Sequence, residues 1–351
     1  MPVKKFDKNQ IIKWGILGTG RIAEQFAEQL VKIKAGRLIG VASRQFENAQ
    51  KFCQKFRDIK AYDSYEALCK DPEIDVIYVS TPTHMHLYHC NLVLDSNKAL
   101  LCEKPFTRNY AEALAVIQKA QHKQLFCMEA MWMRFNPLIQ MAKQAIDENK
   151  IGNIRTLHAE LGYQKDPNRL DTALKGRGAS LSFGCYTVSL AIYFLGKPDT
   201  VSSHIIPNPQ GGDETGALLL HYPDKVASVF YSEGATLSNK VAIYAQDGSL
   251  HIDDSFINAP SLDIVSLKDI RSQSITDHLG RKLTRIFTKL NAILTEEKSV
   301  NKYDNIGFRA EAEEVINCLR SGLIESEIMP LDETLLIHKL LDPILFGNLN
   351  T

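Results

Sequence analysis

The chain has 351 residues, 44% of them apolar and 23% charged, an ordinary globular balance that is long for one core and suits two domains. Lysine and arginine number 41, as do aspartate and glutamate, so no electrostatic footprint argues for nucleic acid or an anionic membrane surface. No apolar run approaches the ~20 residues of a membrane span.

Chain order begins with a polar stretch, MPVKKFDKNQ, that lacks the apolar core of a secretory signal. Ile11 to Ala23 then reads IIKWGILGTGRIA, an apolar strand running straight into a glycine turn, followed by FAEQLVKI with its apolar positions on one helical side. In a dinucleotide fingerprint Gly18 permits the tight turn and Gly20 clears a path for a pyrophosphate. Ala23 takes the close-packing position. Thr19, Arg21 and Ile22 lie in the same loop and helix start, whose free N–H groups attract phosphate. The alternative is a glycine turn with a purely structural role.

The second strand, Arg37 to Arg44, ends about 20 residues beyond the glycines, where an acidic residue would hold the ribose 2′-hydroxyl of NAD. Ser43 and Arg44 stand there instead, a hydroxyl and a guanidinium suited to a 2′-phosphate. They favour NADP, with NAD possible and a solvated loop arginine as the plain alternative. Helical Phe46–Phe56, a short helix Ser64–Cys69 with Ser64 as N-cap, strand Asp75–Ser80 and helical Asn91–Ser96 follow. Strand ALLCE ends at Glu103, and then come helix Tyr110–Gln121 and a short strand Leu125–Glu129. Alternating strands and helices imply a doubly wound parallel Rossmann sheet over residues 1–129, with ligands at its strand C-termini.

From about Ile154 the pattern changes to longer strands with period-two alternation: IRTLHAELGY, VSSHII, TGALLLHY, VASVFYS and VAIYAQ. Pro223-Asp224 and Asp247-Gly248 read as hairpin turns. Helices near Ala179–Leu195, Phe308–Leu319 and Asp332–Phe346 bracket them. Residues 130–351 therefore read as an α+β substrate and dimerisation domain around an open, mainly antiparallel sheet. In TGALLLHY, Leu218 and Leu220 share one face, with Ala217, Leu219 and His221 on the other. Two apolar faces imply a second subunit covering one of them, hence a homodimer. Residues 266–301 are polar and basic, with a helix expected around Arg281–Leu294.

Glu103-Lys104-Pro105 follows an apolar strand and so sits at the ligand-binding edge of the sheet. A lysine at the mouth of an apolar site loses solvation, which moves it towards acid–base use, and a cis Lys–Pro bond is open to it. His84, His86 and His89 are spaced like metal ligands, but no carboxylate or cysteine cluster completes a site, so no metal is expected. Cys185 lacks an activating partner and reads as a packing thiol. Seven scattered cysteines without a CxxC pair suit reduced thiols in a cytoplasm.

GTGRIA, STPTHMH (Ser80–His86), CEKP, MEAMWMRFNP (Met128–Pro137), GASLSFGCYTVSLA (Gly178–Ala191) and GFRAEAEEV (Gly307–Val315) together resemble the Gfo/Idh/MocA oxidoreductases. They are most similar to the dihydrodiol dehydrogenase branch, and they occur in family order over nearly the whole chain. The resemblance implies an NAD(P)-dependent oxidoreductase that acts on CH–OH groups. It assigns Lys104 to the nicotinamide and substrate oxygen, and Thr81, Pro82 and His86 to the nicotinamide side. Glu103 goes with the same motif, Arg169 to the cofactor, and Tyr186 to proton transfer at the substrate. Trp132, expected with Phe135 in the core of the domain junction, is also the candidate aromatic wall of the substrate pocket. One departure stands out: relatives carry Asp four residues before that Tyr or His, and here the position is Ser182. A hydroxyl can bind a substrate but cannot supply a carboxylate's charge. The implied substrate is a small polyol, sugar or diol. A weakly active or inactive cofactor-binding sensor is the alternative.

Overall fold

The computed structural model describes residues 6–164, 178–209, 211–266, 297–300 and 305–346. They fall into two compact units, Met1–Phe135 with Asn305–Thr351, and Asn136–Asp304.

The first unit is built on β1 (Ile12–Leu17), β2 (Gly36–Ala42), β3 (Lys60–Tyr62), β4 (Val76–Val79), β5 (Ala99–Glu103) and β6 (Cys127–Ala130). Their order is β3-β2-β1-β4-β5-β6, with every pair parallel. Chain direction across the sheet reverses between β1 and β4, and in doubly wound folds ligands bind at that switch point, beyond the strand C-termini. Every residue of β4, β5 and β6 is buried, as expected of strands covered on both faces. Helix α1 (Arg21–Leu30) forms because Ala23, Phe26, Ala27 and Leu30 repeat at helical spacing and all bury. The Phe26 ring stacks on Tyr78, 4.0 Å between centroids. Helices α2 (Phe46–Lys55), α3 (Tyr65–Lys70), α4 (His86–Asp95) and α5 (Tyr110–Lys123) complete the alternation. Ser64 caps α3 by accepting from the Ala67 N–H at 3.2 Å, as its sequence position implies. Three-residue β3 went unforeseen because it is too short to show a period.

The second unit holds β7 (Ile154–Gly162), β8 (Thr200–Pro207), β9 (Asp213–His221), β10 (Val226–Ser232), β11 (Val241–Ala245), β12 (Gly248–Ile252), β13 (Ser261–Ser266) and β14 (Glu297–Val300). Their order is β14-β13-β12-β11-β7-β10-β9-β8. All pairs are antiparallel except β7 with β10, so the sheet is mixed but mainly antiparallel. Both foreseen hairpins form, β9–β10 around Pro223-Asp224 and β11–β12 around Asp247. Helices α6 (Pro137–Asp147) and α7 (Cys185–Leu195) lie in this unit, and α7 packs on β7 and β10.

Leu218 and Leu220 are buried on one face, while on the other Leu219, Phe230 and Tyr244 are 43–47% exposed in the single chain. That second face is less apolar than the alternation of β9 suggests. His158, Ser228 and His251 share it, and His158 Nδ1 lies 2.6 Å from Ser228 Oγ.

Two last helices, α8 (Ile306–Ser321) and α9 (Leu331–Phe346), differ from the expected division at 129/130. They belong to the first unit: α8 packs on α1 and on the turn at Trp132–Phe135, and α9 packs on α5 and β6. The physical reason is the apolar stripe of α8, with Phe308, Ala312, Val315 and Leu319 all buried. The helix expected around Arg281–Leu294 lies outside the described residues.

Candidate functional site

The glycine turn sits at the C-terminal end of β1. Gly18 has φ +110°, and a Cβ there would meet Ser80 O and Oγ at 2.9 Å, so a side chain is excluded by strain and by contact. Gly20 is the opposite case, with no heavy atom within 4 Å of where its Cβ would be. It is also the N-cap of α1 and offers no side-chain cap, so the first N–H groups of the helix face open space. That combination fits a diphosphate, since the loop presents donors and a dipole with nothing in the way. Thr19 Oγ1 donates to Ser43 Oγ at 3.3 Å, which links the glycine loop to the end of β2. Ile22 is half-buried and Arg21 exposed at the start of α1.

Ser43 is buried and Arg44 exposed. Burial pushes the Tyr65 phenol up, and the Arg44 backbone N–H and guanidinium beside it pull the other way. Arg44 thus lies beside the Tyr65 phenol at the edge where the adenosine ribose of a dinucleotide would lie. Among the described residues no carboxylate pairs with it.

Lys104 follows the last residue of β5, is half-buried, and is joined to Pro105 by a cis bond. Glu103 is anchored from two sides: Tyr78 Oη donates to Oε1, and the Lys104 N–H donates to Oε2 at 3.2 Å. Burial raises the Glu103 carboxyl to about 7 against the opposing pull of Tyr78 and Lys104. The same burial, with Glu103 alongside, drives the Tyr78 phenol well above its ordinary value.

His86 holds the neighbouring loop to this corner. Its Nε2 lies 2.7 Å from Thr81 O, and its Nδ1 lies 3.0 Å from Pro105 O and 3.1 Å from Phe106 O. The ring is buried and spent on carbonyls, so it shapes the Thr81-Pro82 loop rather than ligating a metal. Thr81 Oγ1 lies 2.8 Å from His89 Nδ1, and burial lowers His89 to about 4. His84 is exposed, and among the described residues no three His, Cys, Asp or Glu side chains converge as metal ligands.

The acids behind Lys104 were missed in the sequence. Glu129, in β6 opposite Cys102 of β5, accepts from the Phe106 N–H at 3.0 Å and is raised by burial to about 7. Glu311 of α8 is fully buried, and burial together with Glu103 and Glu129 raises it well above its ordinary value. Arg134 is fully buried too, with Nη1 donating to Ile328 O at 3.1 Å and to Glu333 Oε2 at 2.5 Å. A usable signal was present: each glutamate interrupts an apolar stripe, in CMEAMW and in FRAEAEEV. Trp132 is 7% exposed and stacks on Phe308 at 4.7 Å, so its indole is committed to packing within the first unit.

In the second unit Tyr186 is buried on α7, and Ser182 lies four residues earlier in a π-helical turn, Ser180–Gly184. Such turns recur at functional sites. Ser180 fixes this one, its N–H and hydroxyl each donating to Asp213 at 2.8 Å. Gly184 leaves room for Tyr231: an added Cβ would come within 2.9 Å of that ring. Cys185 is buried with Sγ donating to Leu181 O at 3.1 Å, a packing role. Arg169 lies outside the described residues.

Two family models match the chain. One, described as the oxidoreductase family with an NAD-binding Rossmann fold, matches residues 12–131, and the Gfo/Idh/MocA C-terminal domain matches residues 139–251. A trans-1,2-dihydrobenzene-1,2-diol dehydrogenase of Xenopus laevis is 34% identical over 340 residues, 95% of this chain and 97% of the relative. The chain belongs to the Gfo/Idh/MocA oxidoreductase family. Its fold is shared by a 3-ketoreductase from Actinomadura kijaniata solved with NADP and TDP-benzene, with TM-score 0.76, 20% identity and coverage of 96% of this chain and 97% of that one. It is shared equally by an oxidoreductase from Agrobacterium radiobacter solved with NAD+, L-tartaric acid and magnesium, with TM-score 0.77, 16% identity and 97% coverage of both chains. No helix among the described residues is long and apolar enough to cross a membrane.

Proposed function

We propose that this oxidoreductase uses NADP and acts on a secondary alcohol or carbonyl of a small cyclic polyol, sugar or dihydrodiol. The observation that carries the reading is the corner at Lys104: a half-buried lysine at the C-terminal edge of the parallel sheet, directly following Glu103, whose carboxyl is anchored by Tyr78 and by the Lys104 backbone N–H. When bound, the nicotinamide supplies the hydride acceptor or donor. Lys104 Nζ takes the hydroxyl proton in oxidation and returns it in reduction, and Tyr186 is the proposed assistant in proton transfer. Gly18 to Ile22 receive the diphosphate, Arg44 and Ser43 the 2′-phosphate, and Thr81 and Pro82 flank the nicotinamide. His86 keeps that flank in register with Lys104. Arg169 is proposed to reach the cofactor and Ser182 to face the substrate, whereas Trp132, packed on Phe308, is not kept as a pocket wall.

Mutation of Lys104 to Met is the test. The variant should bind NADPH as tightly as the parent yet lose turnover by about 10²–10⁴-fold, the usual contribution of a general acid–base group. Near-normal turnover would sink the role.

Ser182 favours a second reading, a cofactor-binding sensor that lacks a family carboxylate. A screen of polyols, aldoses, α-dicarbonyls and dihydrodiols with both redox states of the cofactor separates the two. Tight cofactor binding without turnover of any compound would favour the sensor. The seven cysteines are free thiols, six of them buried, in keeping with a reducing cytoplasm. The open face of the second sheet, with Leu219, Phe230 and Tyr244, is the proposed two-fold interface of a homodimer.

A further inference from the structure

Buried polar atoms behind Lys104 continue past the strand tips. Glu129 Oε2, Thr334 Oγ1, His338 Nδ1 and Nε2, and Asp342 Oδ1 are all buried without a hydrogen-bond partner of good geometry among the described residues. Interiors avoid such a concentration, and buried water is a common way of satisfying it.

These atoms form a line. Thr334, His338 and Asp342 follow one another at four-residue intervals on α9, so they stack on one face in steps of about 6 Å. At the inner end the Thr334 hydroxyl and the Lys104 ammonium both bear on Glu129 and favour its charged form. At the outer end Asp342 is half-buried, and its Oδ2 accepts the Tyr110 N–H at the start of α5, 2.7 Å away. The flanking charges are already matched in pairs. Arg134, which bears on Glu129, bonds Glu333, and Glu112, which bears on Asp342, bonds Arg108. Among the described residues neither His338 ring nitrogen bonds Thr334 or Asp342, and each gap suits one bridging water.

We infer that Glu129, Thr334, His338 and Asp342 form a water-bridged proton path between Lys104 and solvent. The inference rests on the reading of Lys104 as the acid–base group. Each oxidation of a carbinol leaves one hydroxyl proton on Lys104, and each reduction draws one from it. The proton passes from Lys104 Nζ to the Glu129 carboxylate, then by water past the Thr334 hydroxyl to one ring nitrogen of His338. The other ring nitrogen releases a proton towards Asp342 and bulk water, so no net charge stays behind. Burial lowers His338 to about 4, which leaves the resting ring neutral, with one N–H to give and one bare nitrogen to receive. Reprotonation of Lys104 through the protein interior needs no water beside the reacting carbon.

One test needs neither cofactor nor substrate. In the full chain carrying nitrogen-15 histidine, the His338 ring N–H, assigned with the His338→Gln variant, should exchange with water within milliseconds. A ring N–H sealed from water for minutes would overturn the path. A second test uses turnover. His338→Leu should lower kcat on the order of tenfold, less than loss of the acid–base group itself costs. It should also enlarge the solvent deuterium isotope effect and leave the NADPH Kd unchanged. His338→Gln, which keeps a donor and an acceptor, should restore most of the rate. Unchanged kcat and isotope effect in His338→Leu, beside a dead Lys104→Met, would overturn the path and leave the role of Lys104 standing. An active Lys104→Met would instead remove that role, and the path from Lys104 with it.

Discussion

Replacing Glu129 with Gln should change how stability depends on pH. Burial holds the Glu129 carboxyl at about 7, up from 4.5, despite the pull of Thr334, the Phe106 N–H, Arg134 and Lys104. The shift is about 2.5 units, which at about 1.4 kcal/mol per unit amounts to ~3 kcal/mol for a fully buried group. The sign follows from proton counts. Between pH 4.5 and 7 the unfolded chain ionises this carboxyl while the folded chain keeps its proton, so the fold binds more protons and loses stability as pH rises. Below pH 4.5 neither state is ionised, and above 7 both are, so the loss is confined to that window. Gln keeps an oxygen for the Phe106 N–H, bonded at 3.0 Å, and cannot ionise. Its stability relative to the parent should therefore be near zero at pH 4.5 and favourable by ~3 kcal/mol at pH 8. Urea unfolding followed by tryptophan fluorescence measures it. Both tryptophans, Trp14 and Trp132, lie in the first unit and report its unfolding. Parallel pH curves for parent and variant would refute the argument.

Arg44→Ala should weaken NADPH binding by about 1.5–3 kcal/mol, the range for hydrogen bonds to charged groups, and leave NADH nearly unchanged. Equal losses for both cofactors, or a gap that salt does not narrow, would mean the guanidinium supports the loop. Phe230, 43% exposed on the open sheet face, offers the other test. Light scattering should give about twice the 39.4 kDa chain mass for the parent and the single mass for Phe230→Lys, whereas a monomeric parent would exclude the interface.

Much of the first unit could be read from the sequence because its signals are local. The apolar runs of β1, β4 and β5 are uninterrupted, Gly18 and Gly20 mark the turn, and Ser64 announces α3. Lys104 was legible for the same reason, since it directly follows a buried strand. What escaped depends on distance along the chain. Nothing near Glu311 says that it comes to lie beside Glu103 and Glu129, because that requires α8 to return to the first unit after the whole second sheet. The polar line on α9 is hidden likewise: Thr334, His338 and Asp342 read as a solvated stripe until α5 and β6 cover the helix. The second sheet was legible in period but not in extent, as β12 and β13 are short and mix Ser, His and Asp into their alternation.

Ser182 and the buried acids pose one question about the division of labour in the proposed reaction. Where the family resemblance implies a carboxylate, the π-helical turn of this chain has the Ser182 hydroxyl, half-buried and one turn from Tyr186. The acid that meets the turn from β9, Asp213, is consumed by two bonds to Ser180 and fixes backbone. A hydroxyl can orient an oxygen but holds no proton in reserve at neutral pH. The first unit, by contrast, places three buried carboxyls beside Lys104 and Tyr78, two of them raised to about 7, where a small change in surroundings moves a proton on or off. On the proposed reading, then, the loss at position 182 falls on substrate choice more than on proton supply. That reading puts the proton chemistry at the ends of β5 and β6 and on the face of α9, and leaves substrate recognition to the second unit.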